Sequence, residues 1–194
     1  AWSRTSWRAC PGANVNTPCK PRLDYSSYLR DVQDFPKPGI LYKDITPLLQ
    51  DAKAFRACIH DLCDMAAETG ATQIAGIESR GFLFGAAMAA QMELGFLTIR
   101  KPGKLPWQTF AESYDLEYDQ DTLEIHTDAS SAGERVLLID DLLATGATAA
   151  ASVKLLRRTG AEVVGCAFAV ELAFLGGRKK LHGLSVASLV SFSG

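Results

Sequence analysis

An apolar run that ends in two adjacent carboxylates constrains this chain more than any other feature. In Arg135-Val136-Leu137-Leu138-Ile139-Asp140-Asp141, consecutive aliphatic residues leave no polar face. A strand of that kind belongs in a parallel sheet covered on both sides. A loop of small and hydroxylated residues follows, then a helix read from about Thr148 to Arg158 and a strand from Glu162 to Val170. Strand, turn, helix and strand make a βαβ unit. A second unit runs from Gln73-Ile74-Ala75-Gly76-Ile77 through the small, apolar segment Gly81 to Leu94 into Phe96-Leu97-Thr98-Ile99. The expected fold is therefore α/β, with a parallel twisted sheet flanked by helices.

Elsewhere the pattern is helical from Ala52 to Glu68, where Ala54, Phe55, Ile59, Leu62, Met65 and Ala66 recur at helical intervals and Gly70 supplies a stop. Asp24 to Asp34 reads as a short helix ended by Asp34-Phe35-Pro36-Lys37-Pro38-Gly39, because proline restricts the residue before it and cannot extend a helix. Lys101 to Asp121 shows no clear period and reads as a long loop, a feature that in a compact domain is usually functional.

With 194 residues, 47% hydrophobic and 22% charged, the chain suits one compact domain. A net charge of -2, with scattered basic residues, argues against nucleic acid as a partner, and no apolar stretch approaches the ~20 residues that cross a bilayer. Five cysteines at irregular spacing argue against a disulfide framework and for a reducing, cytoplasmic setting. Residues 1–23 carry Arg4, Arg8, Lys20 and Arg22 but no acid, and read as an irregular leader or added arm that leaves organelle import open. Without those four, 16 of the 20 basic residues stand against 22 acidic ones in the domain expected over 24–194.

The loop after the acidic pair has the chemistry of an anion cradle. Small side chains let backbone N–H groups close on a phosphate, Thr145 and Thr148 add hydroxyl donors, and an emerging helix offers unpaired N–H groups. Asp140 and Asp141 would repel an anion unless they bind something else, and ribose hydroxyls are natural donors to them. The alternative is a capped turn at an ordinary strand-to-helix junction. Neither a Gly-x-x-x-x-Gly-Lys-Ser/Thr cradle nor a Gly-x-Gly-x-x-Gly turn is present.

The segment Val136 to Thr148 resembles the thirteen-residue signature of type I phosphoribosyltransferases, which bind 5-phosphoribosyl-1-pyrophosphate. The resemblance implies that Ala144, Thr145, Gly146, Ala147 and Thr148 hold the 5-phosphate and that Asp140 and Asp141 hold the ribose; Ala147 stands where many relatives have glycine. Asp34 to Leu49 is similar to the base-covering segment of the adenine-specific members, Gly76-Ile77-Glu78-Ser79-Arg80-Gly81-Phe82 to their pyrophosphate turn, and Arg100 to Pro106 with Tyr114 to Asp128 to their mobile lid. This likeness covers about Asp34 to Phe192 and implies a small hood over the base site. It implies adenine, 5-phosphoribosyl-1-pyrophosphate, AMP and pyrophosphate as ligands, a homodimer, and magnesium arriving through the substrate with no direct protein ligand.

By the same likeness, Glu78, Ser79, Arg80, Lys101 and Lys104 meet pyrophosphate, the Glu78-Ser79 peptide aiming an N–H at it. Leu41, Tyr42, Lys43 and Leu172 frame adenine, Tyr42 by stacking, although relatives often carry Phe and Arg at Tyr42 and Lys43. Glu117 takes the catalytic proton, beside Tyr118 of the lid, and Arg80 offsets charge on the leaving group. Read without the likeness, Glu117 is a solvated acid in an acidic loop and Tyr42 an aromatic near a proline turn. A guanine or hypoxanthine enzyme, or a nucleic-acid-binding regulator of the same fold, are the competing expectations.

Overall fold

The computed structural model describes residues 22–115 and 120–193. A one-turn 3-10 helix at Tyr25–Tyr28 leads into β1 (Arg30–Val32), followed by β2 (Tyr42–Asp44), α1 (Thr46–Gln50) and α2 (Ala52–Thr69). Next come β3 (Gln73–Ile77), α3 (Arg80–Met92), β4 (Gly95–Ile99), β5 (Thr109–Asp115) and β6 (Gln120–His126). The chain continues through β7 (Arg135–Leu143), α4 (Ala147–Arg158) and β8 (Glu162–Leu172), then two further 3-10 turns at Ala173–Leu175 and Gly177–Lys180, and β9 (Val186–Phe192).

Five strands form one sheet in the order β4-β3-β7-β8-β9, with every neighbouring pair parallel. Alternation along the strands divides the core in two. Leu137 and Ile139 pack with Leu62, Phe84 and Met88 of α2 and α3, whereas Val136 and Leu138 pack with Leu155 and Leu156 of α4 and Leu123 and Ile125 of β6. Asp51 begins α2 by accepting from the N–H groups of Lys53 and Ala54, and Gly70 ends it at φ 66°. Both βαβ units are therefore present.

Three expectations need correction. Asp24 to Asp34 is not a helix: Asp24 caps a single 3-10 turn, and Arg30–Val32 then pairs antiparallel with Tyr42–Asp44. Cross-strand ion pairs, Arg30 with Asp44 at 2.6 Å and Lys43 with Asp31 at 2.6 Å, favour this distant pairing over a local helix. The 101–121 segment is not irregular throughout, because β5 pairs with β6 from Thr109↔His126 to Asp115↔Gln120. Finally, β7 runs four residues beyond Ile139, so the acidic pair lies within the strand.

Arg22, within the stretch read as an arm, docks on α2 and forms ion pairs with Asp61 and Asp64. Asp61 is buried and also accepts from the Tyr25 hydroxyl at 2.5 Å and the Arg22 backbone N–H at 2.7 Å. Burial and this carboxylate together push the Tyr25 phenol up. Removing the hydroxyl would leave a desolvated carboxylate short of one donor. Tyr25→Phe should therefore lower the unfolding free energy by about 1–3 kcal/mol in urea titrations; a loss within error would mean that the bond contributes nothing net.

Candidate active site

The site opens where β3 and β7, adjacent in the sheet, release their turns at the same end. There a cavity of about 280 Å³ is lined by Glu78, Arg80, Lys101, Asp140, Asp141, Ala144, Thr145, Gly146 and Thr148, with Tyr114 and Asp121 on the side of the β5–β6 hairpin.

Asp140 and Asp141 point to opposite sides of β7, as neighbours in a strand must. Asp141 is 3% exposed, and Asp140 is partly exposed. The Asp141 backbone N–H donates to Asp140 Oδ1 at 2.9 Å. Room for the Asp140 carboxylate depends on Gly81: a Cβ there would lie 2.7 Å from Asp140 Oδ1. Arg80 Nε lies 2.9 Å from Asp141 Oδ2, yet that oxygen receives no well-aligned hydrogen bond. The guanidinium thus supplies charge and leaves a directional acceptor open. Burial, followed by the neighbouring Asp141 charge, raises Asp140 well above the usual carboxylate range; burial also raises Asp141, with Arg80 opposing it.

Beyond Leu143 the chain turns through Ala144 and Thr145 to Gly146, which adopts φ 76° and stands at the N-terminus of α4. No side chain caps this helix end. Its N–H groups therefore face the turn without a local competitor, which suits an anion. Thr148 Oγ1 is 3.4 Å from the Tyr114 hydroxyl, which donates to Asp121 Oδ2 at 3.1 Å. Lys101 forms an ion pair with the same Asp121. The hairpin thus places at the cavity wall an internal counter-ion for Lys101, which comes from the segment after β4.

At the neighbouring turn the Glu78-Ser79 peptide is cis. Arg100 Nε donates to Glu78 Oε2 at 2.8 Å, offsetting a charge that would repel an anion. Lys104 is exposed and outside the cavity lining; its carbonyl accepts from Arg100 Nη1 at 3.1 Å. Ser79 and Ala147 also lie outside the lining, Ala147 being 8% exposed as the first residue of α4.

Of the residues assigned to the base, none lines the cavity, and Tyr42 is joined to it through Arg80. Tyr42 packs edge-on against Phe35, ring centroids 5.1 Å apart, and Arg80 lies 5.4 Å from the Tyr42 ring centre, linking it to Asp141. Leu41 is exposed, and Leu172 ends β8 opposite Phe192. Lys43 is held by Asp31 and by the Phe192 ring 4.2 Å away, so its side chain braces the small sheet. Glu117 and Tyr118 lie outside the described residues. Sequence reasoning assigns no role to Tyr114 or Asp121, whose only signal is their place in the lid-like segment. Among the described residues, no group of three or more His, Cys, Asp or Glu could hold a metal ion.

The phosphoribosyl transferase domain model matches residues 42–183. An adenine phosphoribosyltransferase of Desulfitobacterium hafniense is 49% identical over 170 residues, covering 88% of this chain and 98% of the relative. The crystal structure of adenine phosphoribosyltransferase from Thermoanaerobacter pseudethanolicus superposes with a TM-score of 0.81 at 49% identity, over 86% of this chain and 97% of that one. The Saccharomyces cerevisiae adenine phosphoribosyltransferase, in complex with an imino-altritol bisphosphate and adenine, aligns at 37% identity and a TM-score of 0.79 over 84% and 95% of the two chains. On the fold, the acid-bearing strand and these likenesses, the chain belongs to the adenine phosphoribosyltransferase family of type I phosphoribosyltransferases.

Proposed function

We propose that this chain is a purine-salvage transferase that moves the 5-phosphoribosyl group of 5-phosphoribosyl-1-pyrophosphate onto N9 of adenine, giving AMP and pyrophosphate. The observation that carries the reading is the meeting, in one cavity, of the Asp140–Asp141 pair and the uncapped N-terminus of α4. The yeast relative's complex with adenine supports the choice of base.

The reaction breaks the bond from C1 of the ribose to pyrophosphate and forms the bond from C1 to N9. Positive charge grows on the sugar while negative charge gathers on the leaving oxygens. Thr145, Gly146 and Thr148, with the α4 N–H groups, anchor the 5-phosphate; Asp140 and Asp141 accept from the ribose hydroxyls. Arg80 and Lys101 face the departing pyrophosphate, Lys101 exchanging Asp121 for it. Glu117 accepts the proton from N9. Magnesium would arrive on the sugar diphosphate, with no direct protein ligand, and would add to the neutralisation of the leaving group by Arg80 and Lys101. We place the enzyme in the cytoplasm as a homodimer, in keeping with its buried free thiols at Cys58, Cys63 and Cys166 and with the family resemblance.

Steady-state assays with adenine, guanine, hypoxanthine and orotate as acceptors should give AMP from adenine with magnesium present and little product from the others. Failure to form AMP would end the reading, and preference for another purine would move it to a sister activity. Glu117→Gln should lower kcat roughly a hundredfold while leaving binding of the sugar diphosphate nearly unchanged. Equal losses in both would remove its role as proton acceptor.

The acidic pair also predicts a pH signature. Because Asp140 is raised in the folded state, the native protein keeps a proton that the unfolded chain releases, so stability is full below the unfolded pKa and falls as pH rises through the folded one. Asp140→Asn removes that penalty. At pH 8 the variant should be more stable than the parent by about 0.5–2 kcal/mol in urea, with the gap closing below pH ~4 and turnover much reduced. A variant less stable at pH 8 would contradict the electrostatic account.

A further inference from the structure

The phosphate turn has a second wall that the reaction does not use. It comes from the far end of the chain: the backbone at Gly177, which begins the last 3-10 turn, lies directly against Ala144 and Gly146. A Cβ at Gly146 would run into the Gly177 carbonyl oxygen; a Cβ at Gly177 would run into the Ala144 carbonyl oxygen and lie 3.1 Å from the Gly146 nitrogen. The two backbones are packed closely, with the Leu143 side chain alongside. Displacement of one must therefore displace the other.

What holds Gly177 there is the residue after it. Arg178 meets Glu171 through two bonds, Nε to Oε1 at 2.6 Å and Nη2 to Oε2 at 2.6 Å, while Nη1 donates to the Val186 carbonyl at 2.6 Å. Ser188 completes the set, its hydroxyl donating to Glu171 Oε2 at 2.7 Å and receiving Arg178 Nη2 at 3.2 Å. Glu171 is 3% exposed, and its partner in β7 is Leu143, the last strand residue before the phosphate turn. One bidentate pair thus ties the 3-10 turn to β8 and β9 at the level where the cradle leaves the sheet.

We infer that Glu171 and Arg178 are positioning residues for the phosphate cradle: they hold Gly177 against Ala144 and Gly146 and so set the shape of the turn that receives the 5-phosphate. Neither residue lines the cavity, and neither contacts the reacting atoms in this account. The guanidinium fork is essential, because a lysine ammonium reaches only part of this acceptor set. The inference rests on the proposed reaction, since it assumes that the cradle binds the 5-phosphate.

The test uses the full-length chain and three variants, Arg178→Lys, Arg178→Met and Gly177→Ala, with thermal unfolding recorded for each. Arg178→Met and Gly177→Ala should raise the KM for 5-phosphoribosyl-1-pyrophosphate about tenfold or more, and Arg178→Lys by an intermediate factor, because small misplacements of a binding group are costly. The KM for adenine and kcat at saturation should stay within about twofold. In calorimetry with ribose 5-phosphate as probe, affinity should fall in parallel, while product inhibition by pyrophosphate is unchanged. Equal rises in both KM values, or a folded variant with an unaltered sugar-diphosphate KM, would overturn the inference. If Arg178→Met does not fold, Arg178→Lys decides by the same split. If the unsubstituted chain makes no AMP, the proposed reaction fails; an active parent with an unselective variant sinks only the positioning role.

Discussion

Two neighbouring carboxylates inside a buried parallel strand are the constraint on which the rest of the structure depends. Asp140 and Asp141 lose water and repel each other, so their charged forms are disfavoured unless donors and cations surround them. The fold meets this only in part. Arg80 brings a charge to Asp141 without an aligned hydrogen bond, and the Asp141 N–H serves Asp140. A site left short of donors in the free protein gains most from a ligand that brings hydroxyls, as ribose does.

Close approach of backbone elements makes this arrangement possible. Gly81 lets α3 start beside the Asp140 carboxylate, and the contact between Gly146 and Gly177 lets the last 3-10 turn buttress the turn between β7 and α4. Parallel pairing of β3, β7 and β8 brings the ends of distant segments to one rim, where ligands of open α/β sheets bind. The hairpin of β5 and β6 then contributes Tyr114 and Asp121, and the segment after β4 contributes Lys101; their mutual contacts occupy cavity-wall groups in the free protein.

The two βαβ units were legible because strands apolar on both faces and a helix of small residues have few other uses, and the acidic pair with its threonine-bearing turn pointed to residues that line one cavity. What escaped sequence reasoning is nonlocal. Asp24 to Asp34 has no local signal that Arg30–Val32 will find Tyr42–Asp44, and Thr109–Asp115 shows its strand character only against residues 120–126. The continuation of β7 through Asp140 and Asp141 was hidden because carboxylates ordinarily end a strand. The Lys43 side chain also engages Asp31 and Phe192, contacts that no local pattern announces. Likewise, nothing in the spacing of Glu171 and Arg178 announces that they meet behind the cradle.

A crystal structure of this chain with ribose 5-phosphate and pyrophosphate would decide whether the acidic pair and the turn after it grip the sugar phosphate. The phosphate of the sugar should sit on the Thr145-to-Thr148 backbone with the ribose hydroxyls on Asp140 and Asp141, and Lys101 should have left Asp121 for pyrophosphate. A sugar phosphate bound elsewhere, with the acidic pair still facing Arg80 alone, would contradict that grip.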